Sequence, residues 1–309
     1  MAIASVTVTI NGTTTTLSKD HDDPTLFRGT LSAPNKTSYN INSEHYYPVT
    51  VIATNEAGTS TTVNDTHSTL GSALRLYVKE STAPTITITT PTSNQYFGTA
   101  TPTMKFKLVD ESNGSGIAIS TLSIKVDSST YSNTSSGVSV STITNGYEVS
   151  FTPSSGLADG NHTLTVNVKD NDGNVATSAS VSFNTDTIAP TLSITVPQND
   201  NMYFAIPNIA LQGTVSDASG KVPTVTATLN GADIGTITVS NGSFQKNITL
   251  VSGRNTLVVT ATDSVGKVTT ITRYVYLDTS TPIIANVSIT PNPVGVGQSY
   301  TVLINVSEV

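Results

Sequence analysis

The side chains best able to do chemistry in this sequence are its carboxylates, its amides and its four histidines. Cysteine is absent, which excludes disulfides, thiolate metal sites and cysteine nucleophiles. A hydrolase triad would need a histidine beside a hydroxyl and a carboxylate. The histidines all lie in turn-like or strand-edge stretches, and no Gly-x-Ser-x-Gly motif occurs: His21, His45, His67 and His162. We therefore predict exposed polar histidines, no catalytic residues and no enzymatic activity.

Calcium binding is the strongest chemical alternative. Residues 170–174 read Asp-Asn-Asp-Gly-Asn and offer several hard oxygen atoms, the ligands that calcium prefers. The candidate metal ligands are Asp170, Asp172 and Asn174. The Asp110-Glu111 pair and Asp186 would add carboxylates if they met near a domain junction. The glycine comes too early for an EF-hand loop, so a hairpin turn without metal explains the same residues, and no other cofactor is predicted.

Aromatic side chains are the candidates for surface contact. The chain has 11 Tyr and no Trp, and its surface-contact candidates are Tyr46, Tyr96 and Tyr203. These rings would stack on host-surface glycans, or else pack at the ends of domains. The acidic residues of the turns, such as Asp159, Asp217 and Asp233, stand singly in the sequence. They are predicted to accept backbone hydrogen bonds rather than form a glycosidase pair.

Charge and hydropathy narrow the classes of partner. The formal net charge is −7, and the 14 Lys and Arg residues are scattered, which argues against nucleic acid and against anionic membrane surfaces. No stretch reaches the length of a transmembrane helix, so membrane insertion is not predicted. The first residues lack the basic and apolar regions of a secretory signal. We expect a chain made without a leader, or a fragment with an artificial start.

The apolar residues alternate with period two, which indicates β-strands. Four clear examples are residues 5–10, 85–89, 163–168 and 256–261. Turn dipeptides that tolerate positive φ angles separate the strands: Asn11-Gly12, Asn145-Gly146, Asp159-Gly160, Asp172-Gly173, Asn230-Gly231 and Asn241-Gly242. This pattern predicts an all-β chain of tandem immunoglobulin-like β-sandwich domains.

Internal repeats set the predicted domain limits. Three strand-to-turn segments match, at residues 51–58, 168–174 and 259–266. Three proline-containing boundary segments also match, at residues 81–84, 186–190 and 278–282, and proline there would end a strand and stiffen a short connector. We predict an elongated, semi-rigid rod of three domains and a partial fourth, with limits at 1–81, 82–187, 188–281 and 282–309.

The last segment, 282–309, contains only two strand patterns, at residues 285–290 and 299–306. Two strands cannot bury a sandwich core alone. It is predicted to be either the start of a fourth immunoglobulin-like domain or a hairpin that a neighbouring molecule completes.

Several pieces of the third segment carry a family resemblance: APTL at 189–192, LQGTVSD at 211–217 and ITLVSGRNTL at 248–257. With these pieces, residues 189–279 resemble the bacterial immunoglobulin-like domains repeated in surface adhesins and in phage tail or capsid accessory proteins. The middle segment has a related version, LADGNHTL at 157–164. In this family an Asn commonly follows the turn glycine, as Asn174 does here, whereas Thr59 and Lys267 depart from the pattern.

The resemblance implies a structural or adhesive role. A start directly in a strand, followed by this repeat style, is similar to leaderless proteins encoded among phage tail genes of Gram-positive hosts. We therefore expect a virion protein of a phage tail or tail-like particle, multivalent on the particle and in contact with other virion proteins or host glycans. The alternatives are a segment of a bacterial cell-surface adhesin or surface-layer protein, or the carbohydrate-binding region of a glycan-active enzyme. A Lys–Asn isopeptide crosslink is a further alternative.

Overall fold

The computed structural model describes residues 2–34, 38–41 and 45–308. Within these ranges every regular element is a β-strand except two short 3-10 turns, Tyr39–Ile41 and Gly71–Leu74, so the predicted all-β fold is confirmed. Neither helical turn in the described part of the chain has the length or hydrophobicity to cross a bilayer. The strands divide among four consecutive segments, and the backbone separates into two compact units, residues 1–185 and 186–309. The individual domain limits stay predictions.

The second segment has the two-sheet topology of an immunoglobulin domain. One sheet has the order β12-β13-β9-β7 and the other β11-β10-β14-β15-β8, which are the D-E-B-A and C′-C-F-G-A′ arrangements of that fold. Its strands are β7 (Thr85–Thr90), β8 (Gln95–Phe97), β9 (Met104–Val109), β10 (Ile117–Val126), β11 (Ser129–Tyr131), β12 (Val138–Ile143), β13 (Gly146–Phe151), β14 (Gly160–Asp170) and β15 (Ala179–Thr185).

The third segment repeats the same topology strand for strand. Its sheets run β21-β22-β18-β16 and β20-β19-β23-β24-β17. In both segments the short A′ strand pairs in parallel with strand G, while the main ladders are antiparallel. The strands are β16 (Thr191–Val196), β17 (Met202–Phe204), β18 (Asn208–Ser216), β19 (Thr224–Leu229), β20 (Ala232–Ile237), β21 (Val239–Ser240), β22 (Ser243–Thr249), β23 (Gly253–Thr262) and β24 (Val268–Leu277).

Each of these two segments has its own core between its sheets. In the second segment Phe106, Phe151 and Phe183 are fully buried. In the third, Leu211 and Leu257 are fully buried. The buried residues recur at every second position along the strands, as in β9, where burial alternates from Met104 to Leu108. The inward-facing apolar residues predicted from the period-two pattern therefore do form the cores.

Three of the four predicted Asn-Gly turns adopt the expected turn geometry, whereas at Asn145-Gly146 the φ angle is positive at Asn145 (56°) but not at Gly146. Both residues have positive φ at Asn11-Gly12 (48° and 76°), at Asn230-Gly231 (52° and 81°) and at Asn241-Gly242 (50° and 75°). Two successive positive φ angles define the type I′ turn, whose twist matches that of the strands on either side. These turns fix the register of their hairpins.

The first segment differs from the expected sandwich. Its described strands form one sheet, with order β3-β2-β1-β4-β5 and β6 beside β4, rather than two facing sheets. Among the described residues before residue 82, Val78 is the one buried large apolar side chain. The strands are β1 (Ile3–Ile10), β2 (Thr13–Lys19), β3 (Phe27–Arg28), β4 (Tyr47–Asn55), β5 (Ser60–Val63) and β6 (Arg75–Leu76).

The fourth segment is a two-stranded antiparallel hairpin. It consists of β25 (Ile283–Thr290) and β26 (Thr301–Ser307). Its large apolar side chains are exposed, as with Ile284 at 65% and Val306 at 59%. Both strands predicted from the sequence are present, and their limits differ from the predicted ones by at most two residues.

Candidate metal centres

Three carboxylates converge at one end of the second segment. Single oxygens of Glu80, Asp110 and Asp170 all lie within 4.8 Å of one another, and we call this set the first cluster. Glu80 lies in the segment that leads into β7, Asp110 follows β9, and Asp170 ends β14. Because β9 and β14 belong to opposite sheets, the ends of the two strands meet at the same edge of the sandwich. Asp110 and Asp170 are 4% and 2% exposed.

Backbone amides hold the two aspartates of the first cluster in place. Asp110 Oδ2 accepts a hydrogen bond from Gly116 N at 2.6 Å. Asp170 Oδ1 accepts from Gly173 N at 2.6 Å and from Asn174 N at 2.8 Å. Gly114 allows the intervening loop to approach, since a Cβ there would lie 2.7 Å from Asp110 Oδ2. Asp110 Oδ1 is buried and has no hydrogen-bond partner.

The proximity of these carboxylates perturbs their ionisation. Burial, together with the carboxylate of Asp170, raises the pKa of Glu80 to about 7. Burial and the neighbouring Glu111 raise the pKa of Asp110 to about 6. Burial alone would raise the pKa of Asp170 too, but hydrogen bonds from Glu80, Asn174 and backbone amides outweigh it and lower that pKa. Below about pH 7 the metal-free cluster therefore holds a proton on Glu80, beside the carboxylate of Asp170.

An equivalent set of carboxylates lies at the corresponding end of the third segment, with Asp186 from the stretch that leads into it. Single oxygens of Asp186, Asp217 and Asp263 lie within 4.8 Å of one another, and we call this set the second cluster. Asp186 and Asp263 are 2% and 8% exposed. Asp217 Oδ1 accepts from Ser219 N at 2.8 Å, and Asp263 Oδ1 accepts from Val265 N at 2.9 Å and from Lys267 N at 2.8 Å. The Oδ2 atoms of Asp217 and Asp263 are buried without a hydrogen-bond partner.

The two clusters occupy the same three positions of the repeated fold. Glu80 and Asp186 each stand four residues before the boundary proline, Pro84 or Pro190. The second carboxylate directly follows strand B, at Asp110 and Asp217, and the third follows or ends strand F, at Asp170 and Asp263. Each cluster thus ties the segment leading into a domain to both sheets of that domain.

The donor set fits a calcium ion. All three side chains of each cluster offer carboxylate oxygens, the hard ligands that calcium takes at 2.3–2.6 Å. A buried carboxylate oxygen without a partner is costly, and Asp110, Asp217 and Asp263 each present one. A divalent cation would satisfy these oxygens and offset the negative charge. Beside Asp110, a cavity of about 290 Å³ lined by the 110–116 loop and Asn145 gives access to the first cluster.

The predicted metal ligands take different places. Asp170 belongs to the first cluster. Asp172 instead bonds the first segment, accepting from Ser38 Oγ at 2.6 Å, from Glu80 N at 2.8 Å and from Asn40 Nδ2. Asn174 lines the cluster as a donor, with its Nδ2 2.7 Å from Asp170 Oδ2 and 3.0 Å from Glu80 Oε1.

Sequence reasoning missed three of the six cluster residues: Glu80, Asp217 and Asp263. Asp217 was expected as a single turn residue, but the fold brings it to Asp186 and Asp263. Asp110 and Asp186 were considered as carboxylates that could converge on one site, and they belong to different clusters. The signal that would have found the sets is the acid four residues before each boundary proline, combined with an aspartate at the ends of strands B and F.

His162 corrects the prediction that the histidines are exposed. It is 7% exposed, and its Nδ1 lies 2.7 Å from Asp127 Oδ2. Its Nε2 lies 2.8 Å from Ala158 O and 3.1 Å from Thr185 Oγ1. Thr185 is 2% exposed and donates to Ala158 O at 2.5 Å, so a substrate cannot reach its hydroxyl. The arrangement links strands rather than forming a nucleophile site.

The three tyrosine candidates have distinct environments. Tyr46 donates to Asp65 Oδ2 at 2.9 Å and has the Arg75 guanidinium 4.6 Å from its ring centre. Tyr96 is half-buried in β8. Tyr203 is 69% exposed and stacks on Tyr276 with ring centres 4.9 Å apart and an interplanar angle of 16°.

Comparison with known families matches the two complete sandwiches. Residues 89–187 match the model of a bacterial immunoglobulin-like domain, and residues 190–279 match that of domain B of glucodextranase. No curated protein matches the chain at a significant level.

Similar solved structures are tandem modules at low identity. The fibronectin(III)-like modules of CbhA from Clostridium thermocellum are 19% identical over 62% of this chain and 94% of theirs, with a TM-score of 0.36. An I-band fragment of titin is 13% identical over 88% of this chain and 87% of its own, with a TM-score of 0.42. A structure that concerns the host cell surface retention of a 1.5-MDa bacterial ice-binding adhesin is 21% identical. The match covers 90% of this chain and 88% of the adhesin chain, with a TM-score of 0.35.

The two matched ranges contain most of the strands of the two complete sandwiches. Domains of this kind are generally non-catalytic and have structural or adhesive roles. The chain contains bacterial immunoglobulin-like domains, as the pieces at 157–164, 189–192, 211–217 and 248–257 predicted.

Proposed function

We propose that this chain is a non-catalytic structural and adhesive protein whose immunoglobulin-like domains are stiffened by calcium. The observation that carries the proposal is the recurrence of a carboxylate cluster at the same three positions of two domains. In each, an ion would bind an acid of the entering segment to the ends of strands B and F. Such a link would transmit force from one domain to the next.

The proposed location is outside the cell, on a virion such as a phage tail or tail-like particle. Extracellular calcium modules bind with dissociation constants of about 10⁻⁴–10⁻³ M, an affinity useful only where calcium is abundant. Many copies on one particle would convert weak contacts with virion proteins or host surfaces into avidity. A bacterial cell surface, as part of an adhesin or surface-layer protein, provides the same conditions and is the alternative.

Thermal unfolding of the purified chain tests the calcium role. We expect the melting temperature to rise in millimolar calcium and to fall again with a chelator, whereas magnesium, which demands a tighter octahedral shell, should have a smaller effect. An unchanged melting temperature in calcium and in chelator would contradict the role. Imaging of native particles with an antibody against the chain separates the virion from the cell surface.

Glycan contact is a second candidate function, favoured by the tyrosines of the third segment. Tyr203 and Tyr276 stack in neighbouring positions of β17 and β24. On the same strand as Tyr276, Tyr274 has the Arg254 guanidinium 4.0 Å from its ring centre. Flat aromatic rings beside a cation provide stacking and hydrogen bonding for a sugar ring. A carbohydrate-binding region of a glycan-active enzyme would use such a surface.

Glycan-array binding by the whole chain and by Tyr203→Ala tests this candidate. We expect binding that the substitution reduces at least tenfold. Tyr300→Ala is the matched control, since Tyr300 is also exposed, at 57%. Binding that is equal in the two variants, or absent from the parent chain, would reject the tyrosine surface as a glycan site.

A further inference from the structure

The C-terminal hairpin has the register of strands A and B in the complete domains. In the second segment the residue after the boundary proline, Thr85, pairs with Val109, directly before Asp110. In the third segment Thr191 pairs with Ser216, directly before Asp217. In the hairpin Ile283 follows Pro282 and pairs with Ser307, directly before Glu308. In all three cases the residue after the boundary proline pairs with the residue before an acid.

The acidic positions recur as well. Asp278 stands four residues before Pro282, as Asp186 stands before Pro190. Glu308 directly follows β26, as Asp217 follows β18. The hairpin thus repeats two of the three carboxylate positions, and the missing third position is the one at the end of strand F.

One face of the hairpin is entirely apolar. Cross-strand partners point to the same side of a sheet, and three paired couples of β-branched residues define what we call the apolar face: Ile284 with Val306, Val287 with Ile304, and Ile289 with Val302. These six side chains are 44–65% exposed. The opposite face is mostly polar, with Asn286 opposite Asn305 and Thr290 opposite Thr301.

The equivalent face is covered in the complete domains. In the third segment Leu192, two residues after Pro190, pairs with Val215, two residues before Asp217. Ile284 and Val306 have the same spacing from Pro282 and Glu308, but Leu192 and Val215 are only 8% and 3% exposed. The free edge of β26 also has a counterpart, because β18 pairs with β22 and β9 pairs with β13 along that edge. The covering element in both domains is the remainder of the same sandwich.

We propose that β25 and β26 are strands A and B of a fourth immunoglobulin-like domain, whose strands C to G are supplied by polypeptide that continues from this hairpin. Strand E of that domain would pair with the free edge of β26, and its second sheet would cover the apolar face. The shared boundary segment, register and acidic positions favour consecutive strands, as in the two domains before it.

A second copy of the hairpin is a poorer occupant. Seven residues of strand span about 23 Å and two strands about 10 Å, so the apolar face offers a footprint of about 230 Å². Stable interfaces bury about 800 Å² on each partner. Two hairpins face to face would therefore form at most a weak dimer.

Hydrogen exchange and sedimentation of the 309-residue chain test whether the hairpin lacks its covering strands in this chain. We expect a monomer in which the amides of β25 and β26 exchange at least 100-fold faster than those of β16 and β18. Strong protection of the hairpin in a monomer would overturn the proposal. So would a dimer that Val287→Asp abolishes and Leu303→Asp leaves intact, since Leu303 is on the opposite face and is similarly exposed, at 62%.

Extension of the chain tests whether added strands C to G complete the domain. A copy of residues 218–278, which contain strands C to G of the third segment, is appended after Val309. We expect the amides of β25 and β26 to become as protected as those of β16 and β18. Val287→Asp in the extended chain should remove that protection, whereas Leu303→Asp should preserve it. The proposal would be overturned if the hairpin of the extended chain still exchanged rapidly, or if Val287→Asp left its protection unchanged.

Discussion

In the first cluster Asn174 donates to Asp170 Oδ2 and Glu80 Oε1, whereas the second cluster has Lys267 at the same position after the turn glycine. Asp263 Oδ2 consequently stays buried without a hydrogen-bond partner. Below about pH 7 the first cluster also holds a proton on Glu80, whose pKa is raised while that of Asp170 is lowered. The same three backbone positions therefore give one cluster that is partly satisfied internally and one that depends more on a cation.

The fold therefore determines where the carboxylates lie, whereas the residue after the turn glycine determines how strongly they would bind a metal ion. A proton and an amide can replace part of what a divalent ion supplies, at the cost of lower affinity for the ion. We therefore expect the second cluster to bind calcium more tightly than the first.

The largest expected effect is the loss of calcium stabilisation in Asp263→Asn. At calcium concentrations about 100 times the dissociation constant, binding stabilises the folded state by about 2.7 kcal/mol, or about 10–20 °C in melting temperature for a domain of this size. Asp263→Asn keeps an oxygen for Val265 N but loses the charge, so the calcium-dependent rise of the third segment should disappear. Differential scanning calorimetry with calcium and with chelator measures it.

Asp233→Asn is the matched control for that experiment. Asp233 lies in the same segment and accepts a turn hydrogen bond from Gly235 N at 2.7 Å, but it is exposed and outside the cluster. A calcium response lost equally in both variants, or kept in both, would show that the second cluster is not the site.

The buried His162 and its hydrogen-bond partners should behave differently from both clusters. His162 lies on β14, the strand that ends at Asp170, and both of its ring nitrogens face oxygen acceptors. His162→Gln should lower the free energy of unfolding by about 2 kcal/mol, since it removes hydrogen bonds to charged and buried groups. Urea unfolding should give the same loss in calcium and in chelator. A loss confined to calcium would mean that His162 acts through the metal site.

The first cluster should also make the free energy of unfolding of the metal-free protein depend on pH. Burial raises the pKa of Glu80 to about 7 and that of Asp110 to about 6, above the values of 4.5 and 3.8 expected when unfolded. Between about pH 4 and pH 7 these two carboxyl groups thus hold more protons in the folded state than in the unfolded chain. The free energy of unfolding contributed by this cluster should fall as pH rises through that window and level off above it.

Urea unfolding in chelator at several pH values measures that slope. The double variant Glu80→Gln, Asp110→Asn should flatten it, because neither replacement titrates. An undiminished slope in the double variant would place its origin elsewhere in the chain.

The smallest expected effect comes from exchanging the residue that distinguishes the clusters. Lys267→Asn would place an amide where Asn174 lies in the first cluster, able to donate to Asp263 Oδ2 in competition with the ion. One hydrogen bond contributes about 0.5–1.5 kcal/mol, so calcium affinity should fall about 3–10-fold relative to Lys267→Ala, which controls for the lost charge. Titration calorimetry of both variants measures it; equal affinities would remove the explanation offered for the difference.

Much of the fold could be predicted because its signals are local. Alternation along β9 and β14 and the Asn-Gly turns at residues 230 and 241 specify strands and hairpins without tertiary information. The burial of His162 also had a local signal, since it shares its parity with the buried Leu164 and Val166. The single sheet of the first segment had none, because alternation does not reveal whether a second sheet exists.

The candidate site was predictable only in part because its members are distant in sequence. Asp170 was identified within a run of polar residues, whereas Asp217 and Asp263 are isolated acids that meet only when strands B and F end at the same edge of the sandwich. Hydrogen bonds also keep a sequence neighbour out of the cluster. The carboxylate of Asp172 accepts hydrogen bonds from Ser38 and Asn40 instead.

Calcium stoichiometry tests the central claim most directly. Equilibrium dialysis of the chain at pH 7.5 should find one ion bound at each of the two clusters. Asp263→Asn should remove one, and Asp110→Asn together with Asp263→Asn should remove both. Failure to bind calcium at millimolar concentration, or two ions retained by the double variant, would contradict the account.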